Sequence, residues 1–328
     1  MIYRLLPTRV YRSYMGGKQL DLLEGIDPPT VSRFPEDWLG SVTEAFNPGR
    51  DLAGEGLTRI DDGRILRDVI SASPETMLGG HEKMSLLFKL LDSEERLVIQ
   101  AHPTVAFAKE RWNSPFGKTE CWYFLADGGS VYLGFREGIT KERWMELFET
   151  QDVEGMLACL HRFEVSRGEL VFVPGGVPHA IGAGCFLAEL QEPTDLMVIP
   201  ERFTPSGVEL PDAKLHGGLG FEEMFDCFTY EGYSRKETSA RYIRRPKPCT
   251  HGVTELVGRD LTDRFRLEQI NVCGSLSISN DSYGVLLVAD GTGTVNGKEA
   301  KSGDRFFIPA SEGELQLSGT LTLLRCLP

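Results

Sequence analysis

Four side chains carry the chemistry that this sequence offers most directly. Gln100 and His102 stand two apart in LVIQAHP, Glu120 follows the turn-forming Pro115-Phe116-Gly117, and His179 closes the run GELVFVPGGVPH. Two imidazoles, a carboxylate and an amide oxygen are ligands for zinc or another divalent transition metal. Residues i and i+2 of a strand share a face, so Gln100 and His102 converge on one point, which Glu120 reaches from a neighbouring strand. His179 arrives separately. Gly168, Pro174, Gly176 and His179 space out a strand, a tight Pro174-Gly175-Gly176 turn and a histidine at the start of the next strand. Joint spacing is what turns these histidines into ligands. His81, His161, His216 and His251 lack such partners and are read as structural or exposed.

The elements that must position these residues read as β with helical interruptions. Residues 1 to about 60 are rich in turn formers and read as irregular structure over a core, with Trp38 as an anchor. From Gly63 to Leu91 apolar residues recur at spacings of three and four, which predicts a helix, and the strand bearing Gln100 and His102 follows it. Strands are expected at 130–135 and 168–174, with a pair of amphipathic helices inserted at about 138–163. Phe221 to Phe228 reads as a short helix; the basic, proline-containing Arg241 to Lys247 could attract a phosphate, but its composition suits a solvated linker at least as well. The last 70 or so residues alternate strand signals and glycines.

Composition bounds the function. With 328 residues and 41% hydrophobic content the chain can bury a sizeable core, in two domains or in one large β domain with insertions. A net charge of −13 leaves no electrostatic footprint for nucleic acid or an anionic membrane. The seven cysteines are an odd number without a CxxC pair, which argues against a disulfide framework or a zinc knuckle. Charges interrupt the apolar residues of the first nineteen positions, unlike a signal peptide, and no stretch approaches a membrane span. A cytoplasmic protein is expected; its oligomeric state is not legible.

The glycine-to-histidine spacing resembles the second motif of the cupin superfamily. Gln100-x-His102-Pro103, then Gly117-Lys118-Thr119-Glu120-Cys121-Trp122, then Pro178-His179-Ala180 resemble the type I mannose-6-phosphate isomerases in their short bacterial form. That resemblance implies a mainly β fold of two cupin-type (jelly-roll) β-barrel domains with helical insertions. Residues 1–240 would form the catalytic domain, and 241–328 a degenerate cupin without metal ligands. It implies one zinc ion on Gln100, His102, Glu120 and His179. It also implies an aldose–ketose isomerase that takes a small sugar phosphate and interconverts mannose 6-phosphate and fructose 6-phosphate through an enediol. A metal or nearby cation would stabilise the oxyanion that develops there.

The same resemblance places a lysine beside the third ligand, matched by Lys118. It also places an arginine four residues after a downstream aspartate. Asp195 matches the aspartate, but Ile199 stands at the arginine position, and Arg202, three residues on, is the candidate substitute. Lys118, Asp195 and Arg202 are therefore the expected catalytic residues. Ile199 motivates the alternative reading, a non-catalytic metal-containing sugar- or sugar-phosphate-binding cupin. A metal-dependent oxygenase is a third reading, against which Gln100 argues as a ligand beyond two histidines and a carboxylate. In the C-terminal part Gly303 and Pro309 repeat the Gly168–Pro174 spacing. Ser311-Glu312-Gly313-Glu314 comes next, and no histidine occurs after His251.

Overall fold

The computed structural model describes residues 1–50, 52–246 and 251–328; Lys247 of the expected linker and Cys249 lie outside them. The chain opens with β1 (Tyr3–Arg4), β2 (Arg9–Val10), α1 (Gln19–Glu24), β3 (Glu36–Leu39), α2 (Leu66–Ala72), α3 (Pro74–Leu78) and β4 (Leu87–Asp92). It continues through α4 (Val105–Trp112), β5 (Glu120–Phe124), β6 (Ser130–Phe135), α5 (Lys141–Glu149) and α6 (Val153–Ala158). Next come β7 (Leu160–Glu164), β8 (Leu170–Val173), β9 (His179–Ile181), β10 (Phe186–Gln191), α7 (Asp212–His216) and α8 (Arg235–Tyr242). The remainder is β11 (Ile243–Arg244), β12 (Gly252–Val257), β13 (Arg266–Ser279), β14 (Gly284–Val295), β15 (Lys298–Lys301), β16 (Arg305–Ile308) and β17 (Glu314–Leu327).

These strands make three antiparallel sheets. One has the order β11-β8-β5-β10-β4-β3-β2, a small one β7-β6-β9, and the C-terminal one β1-β16-β14-β17-β13-β12 with β15 on β14. Side-chain alternation in β5 explains the stacking. Trp122 and Phe124 point to the small sheet, where they pack with Val131, Leu133 and Ile181. Cys121 and Tyr123 point the other way, into a core shared with Val285, Leu287 and Leu324 of the C-terminal sheet. The β5 sheet is thus the middle layer, buried on both faces. A further core, with Val288, Phe306 and Leu323, lies within the C-terminal sheet.

The first residues stitch the layers together. β1 pairs with β16, with Tyr3 opposite Phe307, while β2 pairs with β3 in the middle sheet. The Leu5 N–H donates to the Arg305 carbonyl at 2.9 Å, and the Arg305 guanidinium forms a buried ion pair with Asp37. Residues placed by sequence in the first domain therefore also complete the C-terminal sheet.

Several expectations change. The fold is mainly β, but its sheets stack as layers and none closes into a barrel among the described residues. Leu87 to Leu91 is not helical but forms β4, in which all six residues are buried. Two covered faces erase the polar alternation that marks a strand. The expected helical pair exists as α5 and α6, but residues 160–163 belong to β7. Residues 1 to 60 hold three short strands and a helix, and Trp38 is fully buried. Phe221 to Phe228 contains a 3₁₀ turn, Glu223–Cys227. Gln100 lies on no regular strand; single bridges join Gln100 to His179 and Ala101 to Val198.

Candidate metal centre

The first and last ligand candidates are locked to each other by backbone. The Gln100 N–H donates to the His179 carbonyl, and the His179 N–H to the Gln100 carbonyl, both at 2.9 Å. His179 opens β9 of the small sheet, whereas Glu120 opens β5 of the middle sheet. Glu120 thus reaches the site across the gap between two layers, not from a strand beside Gln100 as the sequence predicts. Two glycines permit this approach. A Cβ on Gly117 would lie 2.6 Å from the Pro103 carbonyl oxygen, and one on Gly175 would lie 2.7 Å from it. The Lys118 N–H donates to the Pro103 carbonyl (3.0 Å), and the Gly176 N–H to the His102 carbonyl (2.6 Å). Three loops meet at van der Waals distance around one dipeptide, and their side chains converge.

His102, Glu120 and His179 each offer one ligand atom, and these atoms lie within 4.8 Å of one another, fully buried. Ligands on a tetrahedral ion at ~2.1 Å stand ~3.4 Å apart, so the cluster is close to the required size. Tautomers fit as well. His102 Nδ1 is 3.0 Å from the Leu196 carbonyl and His179 Nδ1 is 2.9 Å from the Val177 carbonyl. Only N–H can satisfy a carbonyl, so each ring carries its proton on Nδ1 and presents the Nε2 lone pair to the site. His179 Nε2 is buried without a hydrogen-bond partner. An orphaned acceptor at the centre of such a cluster fits a metal ligand.

Electrostatics prepare the same donors. Burial lowers the His179 imidazole to about 3, with Glu120 only partly opposing it, and burial lowers His102 as well. Both rings are neutral at physiological pH, as ligation requires. Burial would raise the Glu120 carboxyl, but His102 and Lys118 outweigh it and hold it well below its ordinary range. Glu120 Oε1 accepts from Trp122 Nε1 at 3.1 Å, and Oε2 accepts from Lys118 Nζ at 3.0 Å. Lys118 Nζ is also 2.8 Å from His102 Nε2. The expectation that Lys118 shares a face with Glu120 holds.

A cavity of about 200 Å³ opens above this floor, lined in part by Gln100, Lys118, Glu120, Asp195 and Ile199. Asp195 receives a two-pronged guanidinium contact from Arg12, at 2.9 and 3.1 Å, and the Phe46 N–H at 3.1 Å. Arg12 Nε binds Glu36 at 3.0 Å, and Lys89 Nζ bridges Glu189 (3.0 Å) and Glu36 (3.6 Å). Burial opposes ionisation of Glu36, but Arg12 and Lys89 outweigh it and hold its carboxyl at about 2. Five cations, Arg12, Arg50, Lys89, Lys118 and Lys214, therefore face five carboxylates, Glu36, Glu120, Glu189, Asp195 and Glu209. Acidic and basic side chains match in number there, in a chain of net charge −13, and a divalent ion would make the cavity electropositive.

Arg202 is not brought to the cavity. Its guanidinium lies 4.8 Å from the Phe148 ring centroid and 4.6 Å from that of Phe221, and it faces Asp212 at 3.4 Å. The sequence reading missed Arg12, Glu36, Lys89, Glu189 and Lys214. Arg12 lies 183 residues from Asp195, and no spacing rule connects them. The other histidines behave as expected: His161 Nε2 meets the Tyr233 carbonyl, and His81 packs edge-on to Tyr283.

Comparison with known proteins agrees with this geometry. The family model for the mannose-6-phosphate isomerase cupin domain matches residues 259–328. Mannose-6-phosphate isomerase of Streptococcus mutans is 27% identical over 97% of this chain and 96% of its own. The crystal structure of the Bacillus subtilis mannose 6-phosphate isomerase superposes with a TM-score of 0.76 at 22% identity, over 100% of this chain and 99% of that one. A mannose 6-phosphate isomerase structure bound with zinc and yttrium superposes at 0.75, with 20% identity over 99% of both chains. Among the described residues no helix is long and apolar enough to cross a membrane. Shared fold, matched motifs and a buried triad of metal-binding type agree in one likeness: the chain is similar to the mannose-6-phosphate isomerases over nearly its whole length, and its residues 259–328 match their cupin domain.

Proposed function

We propose that this chain is a zinc-dependent isomerase interconverting mannose 6-phosphate and fructose 6-phosphate, with the orphaned His179 Nε2 in a buried His102–Glu120–His179 cluster as the observation that carries the reading. Gln100, which lines the cavity, completes the ligand set as its fourth member. Bound there, the ion supplies Lewis acidity for the charge that develops on substrate oxygens. The cupin-domain match at residues 259–328 supports a cupin unit there, and the zinc-bearing relative supports zinc as the metal. Free thiols at the six described cysteines support a reducing, cytoplasmic setting.

The chain's own residues supply the rest. Lys118 holds an ammonium on the cavity floor beside the cluster, where it can donate to the O1 and O2 oxygens of an enediol. Burial pushes the Glu189 carboxyl up; Lys89 pulls it down, but the Glu120 charge adds to the rise and the net shift is toward neutrality. Glu189 is therefore suited to hold and return a proton. Asp195 is different. Burial would raise it, but Arg12 outweighs burial and holds it far below its ordinary range, so it stays ionised and weakly basic. In this reading Asp195 fixes the substrate-binding wall through Arg12, and Arg202 has no part.

A coupled assay of mannose 6-phosphate turnover tests the proposal. Activity should vanish on chelation and return with zinc, and turnover that survives chelation overturns the mechanism. Ile199 in the cavity wall favours the non-catalytic alternative, which sugar-phosphate binding without conversion by zinc-loaded protein would establish.

A further inference from the structure

A dianionic phosphate needs a cation in the cavity that is not already neutralised by a carboxylate. Four of the five lining cations fail that condition or stack away. Arg12 directs three nitrogens at Glu36 and Asp195. Lys89 is held by Glu189 and Glu36, and Lys118 by Glu120 at the metal end. Arg50 stacks 4.3 Å from the Tyr11 ring centroid and faces Glu55 at 3.6 Å. Lys214 is the exception among the described residues: its Nζ donates to the Phe46 carbonyl at 2.9 Å and lies 5.4 Å from that residue's ring centroid, with no carboxylate in ion-pair contact. An ammonium has three donors, so two remain.

The placement is also specific. Ile199, only 2% exposed, contributes an apolar surface to the cavity. Its N–H donates at 2.8 Å to the carbonyl of Leu215, the residue next to Lys214 on α7. Where position 199 presents no charge, the adjoining element presents one. Burial of Lys214 lowers its ammonium to about 8, with Asp195 only partly opposing, so an arriving anion would restore a lost interaction.

We propose that Lys214 is the phosphate-anchoring residue of this cavity, with Phe46 and the Arg12–Asp195 pair holding the wall from which it projects. The inference rests on the isomerase reading for the identity of the sugar, but its test does not. Lys214→Met should raise KM for mannose 6-phosphate by about 10- to 100-fold, the weight of one charge-assisted contact, with kcat within about threefold. Inhibition by inorganic phosphate should weaken by the same factor, while bound metal and thermal midpoint stay at wild-type values. Lys214→Arg should recover most of the affinity, and Lys214→Gln repeats the measurement if the methionine variant misfolds. Unchanged phosphate inhibition in a folded, metal-loaded Lys214→Met protein overturns the proposal while leaving isomerase activity intact. If the wild type turns over no sugar, calorimetric titration with inorganic phosphate still decides: tight binding lost in the variant supports Lys214, and equal binding overturns it.

Discussion

The element of glycine, strand and proline occurs twice in this molecule, and the two copies end differently. Gly168 and Gly303 both take left-handed backbone angles, with φ of 84° and 88°. Each leads into a fully buried four-residue strand, β8 or β16. After Pro174 the chain closes a turn, donates from Gly176 to the His102 carbonyl, and delivers His179 to the metal cluster. After Pro309 the N–H groups of Ala310 and Ser311 donate to the Met77 and Thr76 carbonyls of α3. Asn280 caps that second turn through the Pro309 and Glu312 carbonyls. One copy presents a ligand and the other docks a helix. The backbone device is neutral with respect to chemistry; the residues after the proline decide its use.

Breaking the first copy should have the largest effect. His179→Ala removes a ligand and should cut turnover by more than about 100-fold, since outer partners of metal ligands alone are worth 10- to 100-fold. Metal content by atomic absorption should fall in parallel. Retained metal and activity would remove His179 from the site. The matching change in the second copy, Glu314→Ala, should leave both unaltered.

Arg305→Ala tests the structural copy. It leaves Asp37, fully buried, without its partner and should destabilise the protein by about 3–5 kcal/mol in urea unfolding. Metal bound per folded molecule should not change; a loss of metal would mean that the C-terminal sheet takes part in the site directly.

Acid should act on the network behind the first copy. Glu36 titrates at about 2 when folded against an ordinary 4.5. A depressed carboxylate contributes stability that is complete above the unfolded value and lost as pH falls through the folded one. Roughly 3 kcal/mol should therefore disappear between pH 4.5 and 2. Glu36→Gln should flatten that limb, and an unchanged slope would assign the loss to other carboxylates.

The smallest contrast concerns two glycines. Gly175→Ala sets a Cβ against the backbone of Pro103 and Thr104 and should cost about 1–3 kcal/mol, with a lower kcat. Gly313→Ala, beyond the second proline, meets nothing within 4 Å and should stay within about 0.5 kcal/mol. Equal thermal shifts would erase the distinction.

How much of the fold and site was legible depended on range. His179 and Lys118 could be placed from sequence because a turn and an i, i+2 relation act over a few residues. Glu120 could be named as a ligand but not assigned to a layer, since that depends on β5 lying between two sheets. β4 read as helix because Leu87, Phe88, Leu90 and Leu91 are all covered by neighbours, which hides the period of two. Arg202 looked like a substitute cation by count alone, yet Phe148 and Phe221 draw its guanidinium away. Arg12 and Lys214 reach the cavity through contacts spanning much of the chain, and no local pattern encodes those.

The pairing of β1 with β16 bears on the order of events during synthesis. Tyr3 and Arg4 meet partners some 300 positions later, and Arg12 comes shortly after them. Both sheets around the metal cluster can assemble while the last strands are still being translated. The wall carrying Arg12 gains its tether to the C-terminal sheet only after Arg305 to Ile308 have emerged from the ribosome. Contacts of such separation form late and slowly. A nascent chain should therefore acquire its metal cluster before its substrate wall is secured, a step that waits on Arg305 to Ile308.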